Sequence, residues 1–208
     1  SDVYQRQVIT CHVSPDGDAI GASLGLYHFL DSQDKNVNIV TPDLLPSNLL
    51  FLKGSRDVVV YTRYQEFAEE LIGNADLIFC LDYNTLSRID RVAKSVSISS
   101  AKKIMIDHHL DPENFCDIII SHPEVASTSE LVFRLICRMG MFEELNQCAS
   151  EAIYTGMMTD TGNFTYNSNK PEIYFIIAEL IKKGINKDRI YNKVYNTCLL
   201  YTSDAADE

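Results

Sequence analysis

Asp107, His108 and His109 form a triplet whose side chains could bind a metal ion or take part in catalysis. The triplet directly follows Lys103–Ile106, a run that is typical of a buried strand. Polar groups at the end of a hydrophobic strand are costly to bury unless a metal ion or hydrogen bonds compensate them. A polar turn that happens to contain two histidines is the simpler interpretation, so the triplet by itself does not establish a site.

Further carboxylate and imidazole groups stand at the ends of other predicted elements. They are His12, Asp16 and Asp18 after the first strand, Asp82 after an apolar strand, and Asp160 where a helix ends. Each is ordinary when taken alone, because such residues are common in turns and at helix ends. In a parallel sheet, however, the carboxyl ends of the strands meet at one edge, and we therefore expect these groups to converge there.

Four clustered carboxylates would repel one another and resist ionisation unless cations neutralised them. The four are Asp16, Asp18, Asp82 and Asp160. Two divalent cations would cancel their negative charges. Oxygen ligands with some imidazole suit Mn²⁺ or Mg²⁺, with Zn²⁺ or Co²⁺ as alternatives. The sequence therefore predicts a two-metal centre.

Strand and helix patterns alternate through the first part of the chain. Strands are predicted at 8–11, 37–40, 58–61, 77–81, 103–107 and 118–120, and helices at 18–30, 64–72, 86–94, 129–139, 146–158 and 171–183. This order predicts an α/β fold with a parallel, helix-covered (Rossmann-like) sheet and a helical C-terminal part. Gly21 and Gly25 keep the first helix slim, which predicts that it lies close on the sheet.

The composition is that of a globular protein whose cysteines are expected to be reduced thiols. The 208 residues are 46% hydrophobic and 23% charged, and the net charge of −11 argues against a broad basic face for polyanions. The six cysteines include no C-x-x-C pair, which favours a reducing, cytoplasmic location. No run is long and apolar enough to predict a membrane span.

The combination of motifs resembles the DHH phosphoesterases. The matching elements are His12-Val-Ser-Pro-Asp16-Gly-Asp18, Asp82, Asp107-His108-His109 and Asp160-Thr161-Gly162. The chain is similar in particular to the bacterial branch that degrades very short RNAs and adenosine 3′,5′-bisphosphate, smaller relatives of the RecJ exonucleases. Ser127-Thr128-Ser129-Glu130 also fits that branch. The match covers about residues 8–165.

The resemblance implies a set of ligands for two Mn²⁺ ions. His12 and Asp16 would hold one ion, and Asp18 and His108 would hold the other. Asp82 would bridge the two ions. The implied reaction is hydrolysis of phosphodiester or phosphomonoester bonds by a water activated between the metal ions.

The remaining motif residues receive less specific roles from the resemblance. Asp160 would complete one of the two metal shells, without an indication of which. His109 would touch the scissile phosphate, and Asp107 would fix an imidazole tautomer by accepting its N–H. His28, inside a predicted helix, and His122, before a proline, are interpreted as structural or loop residues.

The implied substrates are short RNA or DNA oligonucleotides and nucleotide phosphates, and a homodimer is possible within this family. An inorganic pyrophosphatase or exopolyphosphatase of the same family would have a nearly identical pocket. A non-catalytic regulatory domain is the alternative of another class, although no motif residue is missing.

The predicted organisation places the catalytic domain at residues 1–184. Residues 185–197 are interpreted as the start of a helical linker to a substrate-binding domain that the chain lacks. Residues 198–208 break the preceding pattern and are interpreted as a non-native tail from adapter read-through.

Overall fold

A computed structural model of the chain describes residues 6–196, arranged as one sheet with helices on both faces. The strands are β1 (Arg6–Thr10), β2 (Asn36–Thr41), β3 (Val59–Val60), β4 (Leu77–Leu81), β5 (Lys102–Asp107) and β6 (Ile118–Ser121). The helices are α1 (Gly17–Asp31), α2 (Gln65–Gly73), α3 (Val92–Ile98), α4 (Thr128–Arg138), α5 (Gln147–Asp160), α6 (Pro171–Lys182) and α7 (Lys187–Tyr191), which a π-helical turn, Asn192–Asn196, follows. The interpretation of residues 198–208 concerns a segment outside the described residues.

All six strands run parallel in the order β3-β2-β1-β4-β5-β6. The direction of strand succession reverses between β1 and β4, which makes this pair the topological switch point. In such sheets the ligand crevice opens beyond the carboxyl ends of the strands at the switch point. The predicted α/β class and parallel sheet are confirmed, and the crevice lies beside the residues that follow β1 and β4.

Two hydrophobic layers bury both faces of the sheet. Alternate residues of β4 show this directly, since Phe79 and Leu81 belong to the cluster under α1, α4 and α5, whereas Ile78 and Cys80 belong to the cluster under α2 and α3. A strand that is buried on both faces needs apolar residues at every position, which explains the continuous apolar run at 77–81. No helix within residues 6–196 has the length and hydropathy to cross a bilayer.

The helix predicted over residues 86–94 is wrong in detail. Residues Leu86–Ile89 form a 3-10 turn, Asp90 has a φ of +43°, and helix α3 begins only at Val92. Tertiary hydrogen bonds hold the turn in place, because the Val13 N–H donates to the Arg88 carbonyl at 2.8 Å. A contact between residues 75 positions apart in the sequence therefore overrides the local helical pattern.

The slim face of α1 packs against a helix and not, as predicted, against the sheet. A Cβ atom on Gly21 would lie 2.6 Å from the carbonyl oxygen of Ala152 and 2.7 Å from the backbone of Gly156, both on α5. A Cβ on Gly25 would lie 2.6 Å from Ile153 of the same helix. The glycines thus bring the backbones of α1 and α5 close together, and this contact sets the distance between Asp18 on α1 and Asp160 on α5.

We predict that Gly21→Ala lowers the free energy of unfolding by about 1–3 kcal/mol, because the added methyl group overpacks a backbone contact. Alanine would otherwise favour the helix by roughly 1 kcal/mol. Gly73→Ala is the matched control, since within residues 6–196 no atom beyond its own helix backbone and chain neighbours lies within 4 Å of its Cβ position. Urea unfolding of both variants provides the measurement, and a Gly21→Ala protein as stable as wild type would contradict the close helix contact.

Candidate metal centre

The structure brings the predicted residues together at the carboxyl edge of the sheet. His12, Asp16 and Asp18 follow β1, Asp82 follows β4, Asp107, His108 and His109 lie at the end of β5, and Asp160 is the last residue of α5. Within residues 6–196 their ligand atoms form three overlapping groups, and in each group the atoms lie within 4.8 Å of one another. The convergence that the sequence predicts is therefore present in the fold.

His12, Asp16 and Asp82 form the first group. The Nε2 atom of His12 lies 3.7 Å from Oδ1 of Asp16 and 3.4 Å from Oδ2 of Asp82. Asp16 also caps helix α1, because its Oδ1 accepts the backbone N–H groups of Asp18 and Ala19 at 3.0 Å each. This cap fixes the carboxylate beside His12.

Asp18, His108 and Asp160 form the second group. The Nε2 atom of His108 lies 3.9 Å from Oδ2 of Asp18 and 3.5 Å from Oδ2 of Asp160. The sequence left open which set of ligands Asp160 joins. The geometry places it with Asp18 and His108.

Asp82 belongs to the first group and, together with His108 and His109, forms the third. Its Oδ2 faces His12, whereas its Oδ1 lies 3.6 Å from Nε2 of His108 and 3.8 Å from Nδ1 of His109. The residue has a φ of +61°, a left-handed conformation that aspartate tolerates better than most residues. A single carboxylate that faces two groups of candidate ligands has the geometry required of a bridging ligand.

Helix α4 supplies hydrogen-bond donors that the sequence analysis did not assign. The backbone N–H groups of Thr128 and Ser129 donate to Asp18 at 2.6 and 2.9 Å, and the Thr128 hydroxyl donates to Oδ1 of Asp82 at 2.8 Å. The α4 N-terminus thus holds two buried carboxylates, and its dipole favours their negative charge.

A capping pattern in the sequence marks this helix start, which lies one residue before the predicted start at residue 129. Ser127 accepts the N–H of Glu130 at 3.1 Å, while Glu130 accepts the N–H of Ala126 at 3.3 Å. Ser-x-x-Glu before an apolar run is the signature of such a cap. The pattern locates the helix terminus, but only the fold shows that the terminus points at Asp18.

Neighbouring carboxylates and histidine shift the pKa values in the first group. Burial disfavours the cation of His12, but the nearby Asp16 and Asp82 carboxylates outweigh burial and raise the pKa of His12 to about 10. Burial would raise the pKa of Asp16, but the nearby His12 imidazole and the backbone N–H groups that Asp16 accepts lower it to about 2. The two carboxylates therefore favour the protonated form of His12.

Burial and repulsion dominate the second group. Burial, together with the charges of Asp82 and Asp160, raises the pKa of Asp18 well above its ordinary value. Burial and the Asp82 charge also raise the pKa of Asp160 to about 6, against an opposing effect of His108. Carboxylates resist ionisation in this way when too little positive charge lies near them. A divalent cation would then compete with protons for their oxygen atoms.

Asp107 holds the imidazole of His109. Among the described residues, its carboxylate makes no hydrogen bond to the side chains of the first or second group. The buried Oδ1 of Asp107 lies 2.7 Å from Nδ1 of His109, and its Oδ2 accepts the backbone N–H of His109 at 2.9 Å. The hydrogen bond to Asp107 raises the pKa of His109, which favours the imidazolium form. One edge of the ring is therefore fixed, while the side chain keeps 34% of its surface exposed.

The donor atoms fit hard or borderline divalent cations. The Nε2 atom of His12 is buried without a hydrogen-bond partner among the described residues, although two carboxylates lie close to it. The three groups contain carboxylate oxygen and imidazole nitrogen only. This set of ligands suits Mn²⁺ or Mg²⁺ and does not favour metals that require thiolate sulfur.

The two remaining histidines lie outside the three groups. His28 is buried in α1, where its Nε2 lies 2.9 Å from the carbonyl oxygen of Lys53. His122 lies 2.9 Å from the Glu124 carboxylate in the loop after β6. Both therefore agree with their interpretation as structural or loop residues.

Comparison with known proteins gives a family match and several relatives. Residues 6–158 match the model of the DHH family, N-terminal domain. The chain is 34% identical over 177 residues to a Thermus thermophilus protein named bifunctional oligoribonuclease and PAP phosphatase NrnA. It is 27% identical over 198 residues to the Bacillus subtilis protein of the same name. These matches cover 85% and 95% of this chain, but 50% and 59% of the relatives.

A solved structure supports the described fold. The crystal structure of an exopolyphosphatase-related protein from Bacteroides fragilis is 64% identical in sequence and superimposes with a TM-score of 0.92. The match covers 93% of this chain and 57% of that protein. The chain thus spans between half and three fifths of the length of these three proteins.

We predict that Thr128→Val weakens Mn²⁺ binding by roughly 10- to 100-fold, because the hydroxyl that orients the Asp82 carboxylate is lost. Thr128→Ser retains the hydroxyl group and should bind Mn²⁺ as wild type does. The backbone donors to Asp18 are present in both variants, so the comparison isolates the contact with Asp82. Isothermal titration with Mn²⁺ measures the effect, and equal affinities of the two variants would contradict the orienting role.

Proposed function

The chain belongs to the DHH family, and from this premise we propose that it is a Mn²⁺-dependent phosphoesterase with two metal ions per site. The observation that carries the proposal is the position of Asp82, which faces His12 through one oxygen and His108 through the other. Two divalent cations held there would activate water as a nucleophile and neutralise charge on the phosphate. Mg²⁺ or Co²⁺ could replace Mn²⁺, since both accept oxygen and imidazole ligands.

Each candidate ligand has a defined place in this proposal. His12 and Asp16 would hold one ion, while Asp18, His108 and Asp160 would hold the other. Asp82 would be shared between the two ions. Thr128 and Ser129 would act on the ligands and not on the ions, because their hydrogen bonds end on carboxylate oxygens.

His109 would be the residue that touches the reacting phosphate. Its Nδ1 is held by Asp107 at 2.7 Å, which leaves Nε2 for a phosphoryl oxygen. An imidazolium stabilised by a buried carboxylate can donate a hydrogen bond to the charge that develops on phosphorus-bound oxygens. Asp107 is therefore a positioning residue, and His109 is the catalytic residue.

We propose short oligonucleotides, linear dinucleotides and adenosine 3′,5′-bisphosphate as the substrate class. Two relatives that carry the name oligoribonuclease and PAP phosphatase support this assignment. The net charge of −11 also favours short substrates, because the chain lacks the excess of basic residues that long polyanions require. We propose these substrates for the whole protein, because the matched relatives are longer than this chain.

Hydrolysis of pyrophosphate or polyphosphate is the second candidate. The 64% identical structure is described as exopolyphosphatase-related, which favours this alternative. The same metal ligands would serve either reaction, so the distinction depends on groups that contact the rest of the substrate. A non-catalytic regulatory role is less well supported, because every ligand of the proposed centre is present.

The test is a parallel assay of the 208-residue chain with Mn²⁺ on four substrates: a 5′-phosphorylated dinucleotide, adenosine 3′,5′-bisphosphate, a cyclic dinucleotide and pyrophosphate. We expect slow, Mn²⁺-dependent release of nucleotide or phosphate from the first two, because the chain spans only part of the length of the matched relatives. Release only from pyrophosphate would favour the alternative. Asp82→Ala should abolish turnover because both ions lose a ligand. Asp188→Ala, which changes an exposed carboxylate of α7, is the control. Near-normal turnover by Asp82→Ala would refute the two-metal proposal.

A separate prediction concerns His109→Ala. Turnover should fall by about 100-fold or more, because an electrostatic contact to the transition state is lost. Mn²⁺ affinity should change by less than roughly threefold, because His109 is not a ligand in this assignment. Steady-state kinetics and Mn²⁺ titration of the same preparation give both values. A variant that loses Mn²⁺ binding together with turnover would make His109 a metal ligand instead.

A further inference from the structure

Arg88 lies beside the candidate metal centre on the turn Leu86–Ile89, which follows Asp82 and β4. Hydrogen bonds connect this turn to the loop after β1 and to the loop after β5. The Val13 N–H donates to the Arg88 carbonyl at 2.8 Å, and the Leu86 N–H donates to the Glu113 carboxylate at 3.1 Å. Arg88 therefore lies between the loop that contains His12 and the loop that contains the two histidines after β5.

Further bonds make this position rigid. The Asn84 side chain donates to the Leu110 carbonyl at 2.6 Å, and the Asn84 carbonyl accepts the Glu113 N–H at 2.8 Å. Ile89 is fully buried and anchors the other end of the turn. A side chain on such a support is well placed to bind a ligand with a defined geometry.

The Arg88 guanidinium has no carboxylate partner within residues 6–196, although the chain is strongly acidic. Nearby Arg91, by contrast, approaches Asp90 at 3.8 Å. Arg88 nevertheless lies next to the centre, because its carbonyl accepts the N–H of Val13, the residue after His12, and its turn follows Asp82. An arginine without a carboxylate partner beside an acidic centre can bind an anionic group that the metal ions do not neutralise.

We propose that Arg88 binds a second, non-reacting phosphate group of the substrate and makes the centre selective for substrates with two phosphates. The inference rests on the proposed phosphoesterase function, in which the metal ligands and His109 serve the reacting phosphate. A phosphate beyond the reach of those groups needs its own cation. Guanidinium binds phosphate through two parallel hydrogen bonds, which provides orientation as well as charge.

The experiment compares the binding of imidodiphosphate and of inorganic phosphate to the Mn²⁺-loaded 208-residue chain by isothermal titration. Imidodiphosphate is a non-hydrolysable probe with two phosphates. Arg88→Ala should weaken its binding by at least about tenfold, the usual effect of losing a charge-assisted hydrogen-bonded pair, and leave phosphate binding within about threefold of wild type. Arg88→Lys should retain part of the preference. The turn keeps its bond to Val13 in both variants, because that bond uses the Arg88 carbonyl.

Arg91→Ala is the matched control, since it removes an exposed arginine three residues away. The assignment of Arg88 would be overturned if Arg88→Ala lost equal affinity for both probes or lost affinity for neither. It would also be overturned if Arg91→Ala lost as much affinity for imidodiphosphate, or if the wild-type chain did not bind imidodiphosphate. Hydrolysis of dinucleotides with and without a 5′-phosphate is measured in parallel and separates the two proposals. A chain that binds the probe through Arg88 but hydrolyses nothing would refute the proposed function and support the assignment of Arg88.

Discussion

Repulsion among buried carboxylates is the constraint on which this structure depends. Asp18 and Asp82 are almost completely buried, and Asp160 is largely removed from solvent, yet their oxygens crowd around the two imidazoles His12 and His108. Such a cluster is unfavourable by itself, as the raised pKa values of Asp18 and Asp160 indicate. The fold must therefore hold the carboxylates in place until cations or protons neutralise them, and several of its features do so.

The sheet supplies the first of these features. Parallel strands end at one edge, so the residues that follow β1, β4 and β5 meet without any direct contact in sequence. Close packing of α1 and α5 supplies the second, because the glycines between these helices set how near Asp18 approaches Asp160. The N-terminus of α4 supplies the third, since it donates hydrogen bonds to both Asp18 and Asp82. These features stabilise an arrangement that electrostatics alone would disperse.

The same arrangement divides the centre into regions with different chemistry. Carboxylates and two imidazoles form the part suited to divalent cations, whereas His109, held by Asp107, and Arg88 offer hydrogen-bond donors at its border. A phosphate ester presents both a reacting group and further charged oxygens, and this distribution of charge matches it. Divalent cations bound to these carboxylates would reverse the local sign of charge, which the proposed function requires of an overall acidic protein with an anionic substrate.

Much of the fold and of the candidate site could be predicted from the sequence. Apolar runs of strand length, alternating with helical periods, predict a parallel sheet, and the order of the His and Asp motifs predicts which strand ends carry the ligands. These features are local in sequence, or they follow from the general rule that parallel strands end at one edge. Patterns of this kind are sufficient to select Asp82 and Asp107 before any coordinates are known.

Other features depend on contacts between distant segments, and the sequence does not encode them locally. The helical pattern at 86–94 yields to a turn because Val13 binds Arg88, and the glycines of α1 face α5 because two helices cover the same face of the sheet. Three further features appear only in three dimensions. They are the grouping of Asp160 with His108, the contact between Thr128 and Asp82, and, within the described part of the chain, the lack of a carboxylate partner for Arg88. Residue type and order determined which groups could bind metal, whereas tertiary packing decided which of these groups lie together, because that depends on distances of a few ångströms between elements far apart in the chain.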